Sequence, residues 1–584
     1  MSQNFEKIPF LAFTPDPERL PAQIHIVGGG QMGGKGKGLT FVASETSPDG
    51  VLSDFSERGI CIPDTTVLST EIFDQFMEAN HLNGLYRKVS FEKLVTIFLK
   101  SPFPADILDI FSELLAKFNQ PLAVRSSSLM EDSLQHSFAG LYLTLFISNQ
   151  GTFEERMAQF TWAIKRVYAS TYNPSVRAYR RKHSLRSADD KMAILLQSVV
   201  GKRHENLFYP LFSGVGFSRN YYPWSGRVKV QDGVVRLVYG LGTRAVGRHY
   251  ARVFSLSNPQ LRPEGSIARD VLRYSQEVFD ALDLEKNELV SLPVSAMKNK
   301  DRQLYKIASL LKDRSYLTPM YPMHLSETDI IVLTFDPIIS SNRFMPFVEI
   351  VRDVLVRLET LFGIPVDIEF SVEFQPDPET GKERGIFYLL QARPLGVREE
   401  HKRITIPEVE PSRILIRSRN PLGNGVKKHI HHIIFVESGS YLKANHYEVA
   451  RKIGRLNQRM YNKPYILIGP GRWGSTNPQL GIPVRYGEIS NAAVIVEVAS
   501  GRLTPELSYG THFFGDMLAD GTLYIPVFPE QGDFLHREWL LSQKNHSRSS
   551  VVRLIETKDE IRVFASGDVR EAIVFLENSE ATTA

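Results

Sequence analysis

The sequence predicts a mixed α/β (α+β) protein of several domains, on three observations. Short strand-like runs such as QIHIV (23–27), MAILLQSVV (192–200) and VDIEFSVEF (366–374) alternate with segments carrying apolar residues at helical spacing, such as PADILDIFSELLAKF (104–118) and FVEIVRDVLVRLETLFG (347–363). The length, 584 residues, corresponds to three or four domains at roughly 100–200 residues each. The composition, 42% hydrophobic and 23% charged with 40 Gly and 33 Pro, can bury a large core and excludes collagen-like and low-complexity chains.

Charge and cysteine content exclude further classes. A net charge of +4 spread over this length does not point to nucleic acid or a membrane as a partner. One cysteine, Cys61, excludes an intramolecular disulfide and a multi-cysteine metal site, and it fits a reducing compartment. No run approaches the ~18 apolar residues of a spanning helix, and MSQNFEKIPFLAF lacks the basic-then-apolar order of a signal peptide. A soluble cytoplasmic protein is the expectation.

In chain order, residues 1–22 read as a leader punctuated by Pro9, Pro15, Pro17 and Pro21. The strand QIHIV enters a glycine-rich loop, Gly28 to Gly38, and a helix is predicted from Leu39. GICIPDTTVLST (59–70) reads as one strand entering a helix, and PLAVRSSS (121–128) as a strand and its loop. A basic helical region spans 160–183, with RAYRRKHSLR (177–186) as its solvated end. The continuous apolar run 192–200 is a buried strand, and LFSGVGFS and VVRLVYGLG are strands with glycine-marked turns. The helix 347–363 ends at Gly363. Runs 366–374 and 385–394 flank the polar turn QPDPETGKER and make a long β-hairpin. The charged, proline-punctuated segment 397–411 is a linker, and 412–584 a separate C-terminal mixed α/β domain.

Two segments carry candidate chemistry. In VGGGQMGGKGKG, Gly28, Gly30 and Gly33 satisfy the dinucleotide fingerprint G-x-G-x-x-G, whose glycines let backbone approach a pyrophosphate. The same segment almost forms a phosphate loop around Lys35, but Gly36 stands where a magnesium-ligating Ser or Thr belongs. A plain mobile surface loop fits as well. In the hairpin, Asp367 and Glu369 are two apart, as are Gln391 and Arg393, so each pair shares a strand face. Closure about residue 380 sets Glu369 opposite Gln391. A carboxylate and an amide oxygen suit magnesium, and a neighbouring guanidinium suits a phosphate. Spacing by itself favours the alternative, a solvated face with a cross-strand ion pair.

Several segments in order add a resemblance. GGKGKGL (33–39), RGICIPDTTVLST (58–70), AVRSSSLMEDSLQHSFAG (123–140), KMAILLQSVV (191–200), FSGVGFSRN (212–220), YGLG (239–242), VDIEF (366–370) and LLQARPL (389–395) resemble motifs of the nucleotide-binding domain of phosphoenolpyruvate synthase and pyruvate phosphate dikinase, an ATP-grasp fold. The resemblance covers 23–396 and implies an ATP-binding domain of two subdomains. It implies that Lys35 and Arg125 hold ATP phosphates, that Gly140 and Thr144 lie against the phosphates or the adjoining loop, and that Gln197 sits at the nucleotide base. It further implies that Glu369 and Gln391 coordinate Mg2+ and that Arg393 meets the terminal phosphate. The family's G-L-G-E departs here to Gly240-Leu241-Gly242-Thr243, and residues 141–143 are apolar where the family is polar.

The expected function is an ATP- and Mg2+-dependent, dikinase-like phosphotransferase that passes phosphoryl to a histidine or an unknown acceptor. Full-length relatives carry a (β/α)8 barrel of about 250 residues; the chain beyond residue 396 is too short for one, so phosphoenolpyruvate synthesis by this chain alone is not expected. A non-catalytic regulatory module, or one component of a split dikinase working with a separate partner protein, are the alternatives. The family's phosphohistidine segment has a faint echo in ISNAAVIVEV, with Asn491 at the histidine position. His512 in SYGTHFFGDM fits a phosphoryl acceptor or a structural histidine, and favours the second. KKHIHHIIF sets His429 and His431 on one strand face, and ILIGPGRWGSTNP offers Arg472 and Ser475 as an anion loop or a structural turn.

Overall fold

The computed structural model describes residues 8–130, 142–182, 185, 191–220, 225, 227–249, 251–322, 324–377, 380–395, 404–419, 421–475, 477–501, 503–505, 511, 513–514, 517, 520–567 and 569–577. The chain divides into two compact units, one made of Met1–Pro174 and Ser187–Val397, the other of Ser175–Arg186 and Arg398–Ala584.

Two sheets position the site of the first unit. One has the strand order Ile24–Val27, Thr65–Leu68, Met192–Ser198, Leu122–Ser128, Thr144–Ile147. Its first pair is parallel and the others antiparallel. Alternation divides its side chains between two cores. Leu122, Val124, Ile194 and Leu196 pack under the helices Thr70–Ala79, Phe91–Lys100, Ala105–Lys117 and Phe153–Ser170, while Val67, Ala123 and Leu195 face the helix Gly33–Ser44. The second sheet runs Arg252–Phe254, Val234–Tyr239, Phe212–Phe217, Val366–Pro376, Glu383–Pro394, Ile60–Cys61. The amphipathic helix Phe347–Phe362 packs on Ile368 and Phe370 of this sheet and ends, as its sequence predicts, at left-handed Gly363.

Three local readings are corrected. The glycine segment is not a loop up to Leu39, because the helix starts at Gly33. Glycine lowers helix propensity by about 1 kcal/mol per residue, yet tertiary packing selects it here: a Cβ on Gly33 would lie 1.8 Å from the Ser127 carbonyl oxygen, and one on Gly38 2.2 Å from that of Ala392. The run 59–70 is not one strand. Ile60–Cys61 and Thr65–Leu68 serve different sheets, separated by Pro63, which lacks the N–H a continuous ladder needs. The basic region 160–183 is two helices, Phe153–Ser170 and Pro174–Lys182. The latter is not a solvated end: Tyr179 and Arg180 are buried, Tyr179 Oη donates to Asp520, and Tyr461 Oη donates to the Arg181 carbonyl, all within the second unit.

The second unit is built on an eight-stranded mixed sheet, in the order Leu523–Val527, Ala492–Val498, Tyr465–Pro470, Gly425–Val436, Val552–Ser566, Glu571–Glu577, Ile414–Ser418, Phe534–Leu535. The first four strands are parallel, and the helix His446–Arg459 makes one crossover between them. His429 and His431 do not share a regular face. His429 takes a left-handed φ of 58° at a register shift, which breaks the alternation. Arg472–Trp473 forms a short strand paired with Gly481–Ile482, where the Trp473 N–H and indole donate to Glu497 and the Val496 carbonyl, and the Ser475 hydroxyl donates to the Asn477 carbonyl. The Asn491 amide donates to the Asn457 carbonyl. His512 lies outside the described residues. Among the described residues, no helix is long and apolar enough to cross a membrane.

Candidate functional site

Arg125 projects from the middle of Leu122–Ser128, on the face turned toward Gly33–Ser44. In antiparallel pairs, directly opposed residues share a face. Thr144 opposes Arg125, and Gln197 opposes both Ala123 and Thr65, so Arg125, Thr144, Gln197 and Thr65 stand on one side of the sheet.

The hairpin Val366–Pro376/Glu383–Pro394 supplies the other side. Near its turn the register pairs Phe370 with Leu389, and beyond the bulge it pairs Glu369 with Gln391 and Asp367 with Arg393. Leu390 is the extra residue. Had the turn register continued, Glu369 would have faced Leu390, and Gln391 and Arg393 would have been on the opposite face. The bulge leaves Leu389 in the core with Phe370 and places Gln391 beside Glu369. It also frees the Leu390 carbonyl from the ladder.

That carbonyl joins the two sides. It accepts from Arg125 Nη1 and from Gln197 Nε2, both at 3.3 Å. Arg125 Nη1 also donates to Gln197 Oε1 at 3.3 Å, and Arg125 Nη2 donates to Gln391 Oε1 at 2.8 Å and pairs with the Glu369 carboxylate. The Gln197 amide donates to Thr65 Oγ1 at 3.2 Å. Arg125 is only 7% exposed, and its charge is held by a ring of acceptors. Beside it, Arg393 Nε lies 2.6 and 2.9 Å from the two oxygens of Asp367.

Lys35 is buried in the first turn of Gly33–Ser44. Its helix touches both sides of the site. The Gly36 N–H donates to Ser127 Oγ at 2.9 Å, Ser127 Oγ donates to the Met32 carbonyl at 2.7 Å, and Gly38 lies against Ala392. Lys37 serves a different contact, donating to the Leu11 carbonyl over the Phe10 ring, and desolvation pushes its ammonium below the ordinary lysine range. Further along the hairpin, burial pushes the Glu373 carboxyl up, against the opposing pull of Lys202 and of the Phe374 and Leu211 N–H groups.

The structure therefore brings Arg125, Gln197, Glu369 and Gln391 into direct contact, sets Arg393 next along the same face, and aligns Thr144 with Arg125. Gly140 lies outside the described residues. Thr65, Ser127, Asp367 and the Leu390 carbonyl also hold the site. Thr65, Ser127 and Leu390 lie within the quoted motif segments, but only Asp367 had a positional signal of its own, its two-residue spacing from Glu369; a carbonyl freed by a bulge leaves none.

The donor set fits a hard cation. A carboxylate and an amide oxygen converge within hydrogen-bond reach of one nitrogen, Arg125 Nη2, so both could bind a single magnesium ion whose remaining positions take phosphate oxygens and water. Among the described residues, no group of three or more His, Cys, Asp or Glu could hold a metal. Three cationic side chains and two oxygen ligands on facing elements can neutralise a polyphosphate.

The family model of the pyruvate phosphate dikinase AMP/ATP-binding domain matches residues 30–413. An uncharacterized phosphotransferase, YvkC, of Bacillus subtilis (strain 168) is 23% identical over 352 residues, 60% of this chain and 33% of its own length. A phosphoenolpyruvate synthase of Aeropyrum pernix is 24% identical over 388 residues, 62% of this chain and 42% of its own. The match thus spans a third to two-fifths of the length of these relatives. With the family model covering more than half of its residues, the chain belongs to the family of the pyruvate phosphate dikinase AMP/ATP-binding domain.

Proposed function

We propose that the chain is an ATP- and magnesium-dependent phosphotransferase of the dikinase type, with an ATP-grasp nucleotide domain, that cleaves ATP at the Arg125–Glu369–Gln391 site and passes phosphoryl to a histidine or another acceptor. The observation that carries this reading is the convergence of Arg125 with Glu369 and Gln391, beneath the helix that bears Lys35. In the proposed arrangement Lys35 and Arg125 grip phosphates, Arg393 meets the terminal phosphate from its seat on Asp367, and Thr144 and Gly140 lie alongside. Gln197, with the backbone after it, borders the base. Glu369 and Gln391 would hold magnesium, which supplies charge neutralisation between phosphates when bound. Phosphoryl transfer asks little covalent chemistry of a protein, so fixed cations aimed at developing charge are the expected machinery. The names of the two relatives, a phosphotransferase and a phosphoenolpyruvate synthase, support the reaction class.

Phosphorus NMR of the chain incubated with ATP and magnesium tests the reading. AMP formation marks dikinase chemistry, whereas ADP alone marks simple kinase or hydrolase chemistry. Lys35→Ala and Arg393→Ala should abolish turnover; equal turnover in both variants would reject the assignment.

A further inference from the structure

Both side chains suited to a cation contact the Arg125 guanidinium. Gln391 Oε1 accepts from Arg125 Nη2 at 2.8 Å, and Glu369 pairs with the same nitrogen. The guanidinium is not a loose side chain that drifts into the gap. Nη1 is fixed by the Gln197 amide oxygen and the Leu390 carbonyl, both at 3.3 Å, and Gln197 is itself fixed by Thr65 and by Leu390. A divalent cation entering between Glu369 and Gln391 would have to displace these hydrogen bonds and would then stand beside the like charge of Arg125, a buried and poorly screened residue. A polyphosphate changes the balance, because it offers the guanidinium a bidentate anionic partner and offers the cation further oxygen ligands.

We propose that Arg125 is an internal latch on the metal position, so that a divalent cation binds between Glu369 and Gln391 only together with a nucleotide whose phosphate draws Arg125 away. This rests on the nucleotide-site reading above and adds an order of binding to it. Cation and nucleotide are then positively coupled. By linkage, each raises the affinity for the other by the same factor.

Mn2+ titration of the full chain, followed by the electron paramagnetic resonance signal of the free ion, tests this. Without nucleotide, wild type should bind no more Mn2+ than Glu369→Gln. Arg125→Gln, which removes the charge, should bind one Mn2+ about ten- to a hundredfold more tightly than wild type, the worth of a hydrogen bond to a charged group. The double variant Arg125→Gln/Glu369→Gln should lose that site. Adding the β,γ-imido analogue of ATP to wild type should create a Glu369-dependent Mn2+ site, and Mn2+ should tighten the analogue by the same factor. Should Arg125→Gln fail to fold, the wild-type and Glu369→Gln arms still decide. A Glu369-dependent Mn2+ site in nucleotide-free wild type, as tight as that with the analogue, overturns the latch while leaving the nucleotide site intact. No binding of the analogue under any condition overturns both.

Discussion

Gly38 offers a sharp test of why this chain is glycine-rich where it is. Gly38 lies inside the helix Gly33–Ser44, and an alanine Cβ there would sit 2.2 Å from the carbonyl oxygen of Ala392. The obstacle is backbone, so no rotamer change relieves it. Restoring ordinary contact, at 3.4 Å or more, requires helix and strand to part by about 1 Å. On an exposed helix Gly→Ala stabilises by about 1 kcal/mol; here overpacking costs about 1–3 kcal/mol, and a net loss of about 1–2 kcal/mol is expected. The functional effect should be larger than the stability effect. Lys35 lies one turn earlier on the helix and Arg393 follows Ala392, so the displacement moves apart the two cations proposed above to bind phosphate, and a ~1 Å misplacement can lower a rate about a hundredfold. The assay pairs urea denaturation with ATP turnover for Gly38→Ala. Gly454→Ala is the control: it too is helical, but its Cβ would meet only the Glu488 side chain at 3.4 Å, so it should gain up to about 1 kcal/mol. Equal or higher stability with unchanged turnover in Gly38→Ala would refute the packing argument and return the segment to a flexible loop.

Two further outcomes are expected. Asp367→Asn should leave Arg393 with a neutral partner in a site where both are almost buried, lowering the urea midpoint by the equivalent of about 1–3 kcal/mol and reducing turnover more than calorimetric nucleotide affinity; an unchanged ratio of the two would contradict the steering role. In the second unit, burial pushes the Glu437 carboxyl up, but hydrogen bonds from Arg537, Ser440 and Gly439 outweigh this and hold it at about 2, against an ordinary 4.5. A depressed carboxyl contributes stability above its unfolded value that disappears as pH falls through the folded one. Thermal melts should therefore lose about 1 kcal/mol of Glu437-dependent stability from pH 5 to pH 2, allowing for solvent screening at Arg537, which is 59% exposed. Glu437→Gln should flatten that part of the profile, and an unaltered slope would show that the carboxylate is not its source.

Much of the site was legible because strand periodicity is local. Residues two apart share a face whatever the rest of the chain does, so Asp367 with Glu369 and Gln391 with Arg393 could be paired from spacing. The amphipathic helix ending at Gly363 was readable for the same reason. Positions that depend on contacts between remote segments were not. The density of glycine in 28–38 looks the same whether it serves a loop or a tightly packed helix, and only the carbonyls of Ser127 and Ala392 distinguish the two. The run 177–186 looks solvated on composition, yet Arg180 is buried in the second unit.

The sequence by itself determined the alternation of helices and strands, the ordered motifs that mark the dikinase nucleotide domain, and the residue types available at the proposed site. Tertiary structure decided which of those groups meet. It placed Arg125 against Glu369 and Gln391, used one bulged residue, Leu390, to bring Gln391 and Arg393 onto the face of Glu369, and made the freed Leu390 carbonyl an acceptor for Arg125 and Gln197. The reason is range: a side chain's direction follows from its nearest neighbours in sequence, whereas a register shift and an ion pair between residues 125 and 369 follow from the energy of the whole packed unit.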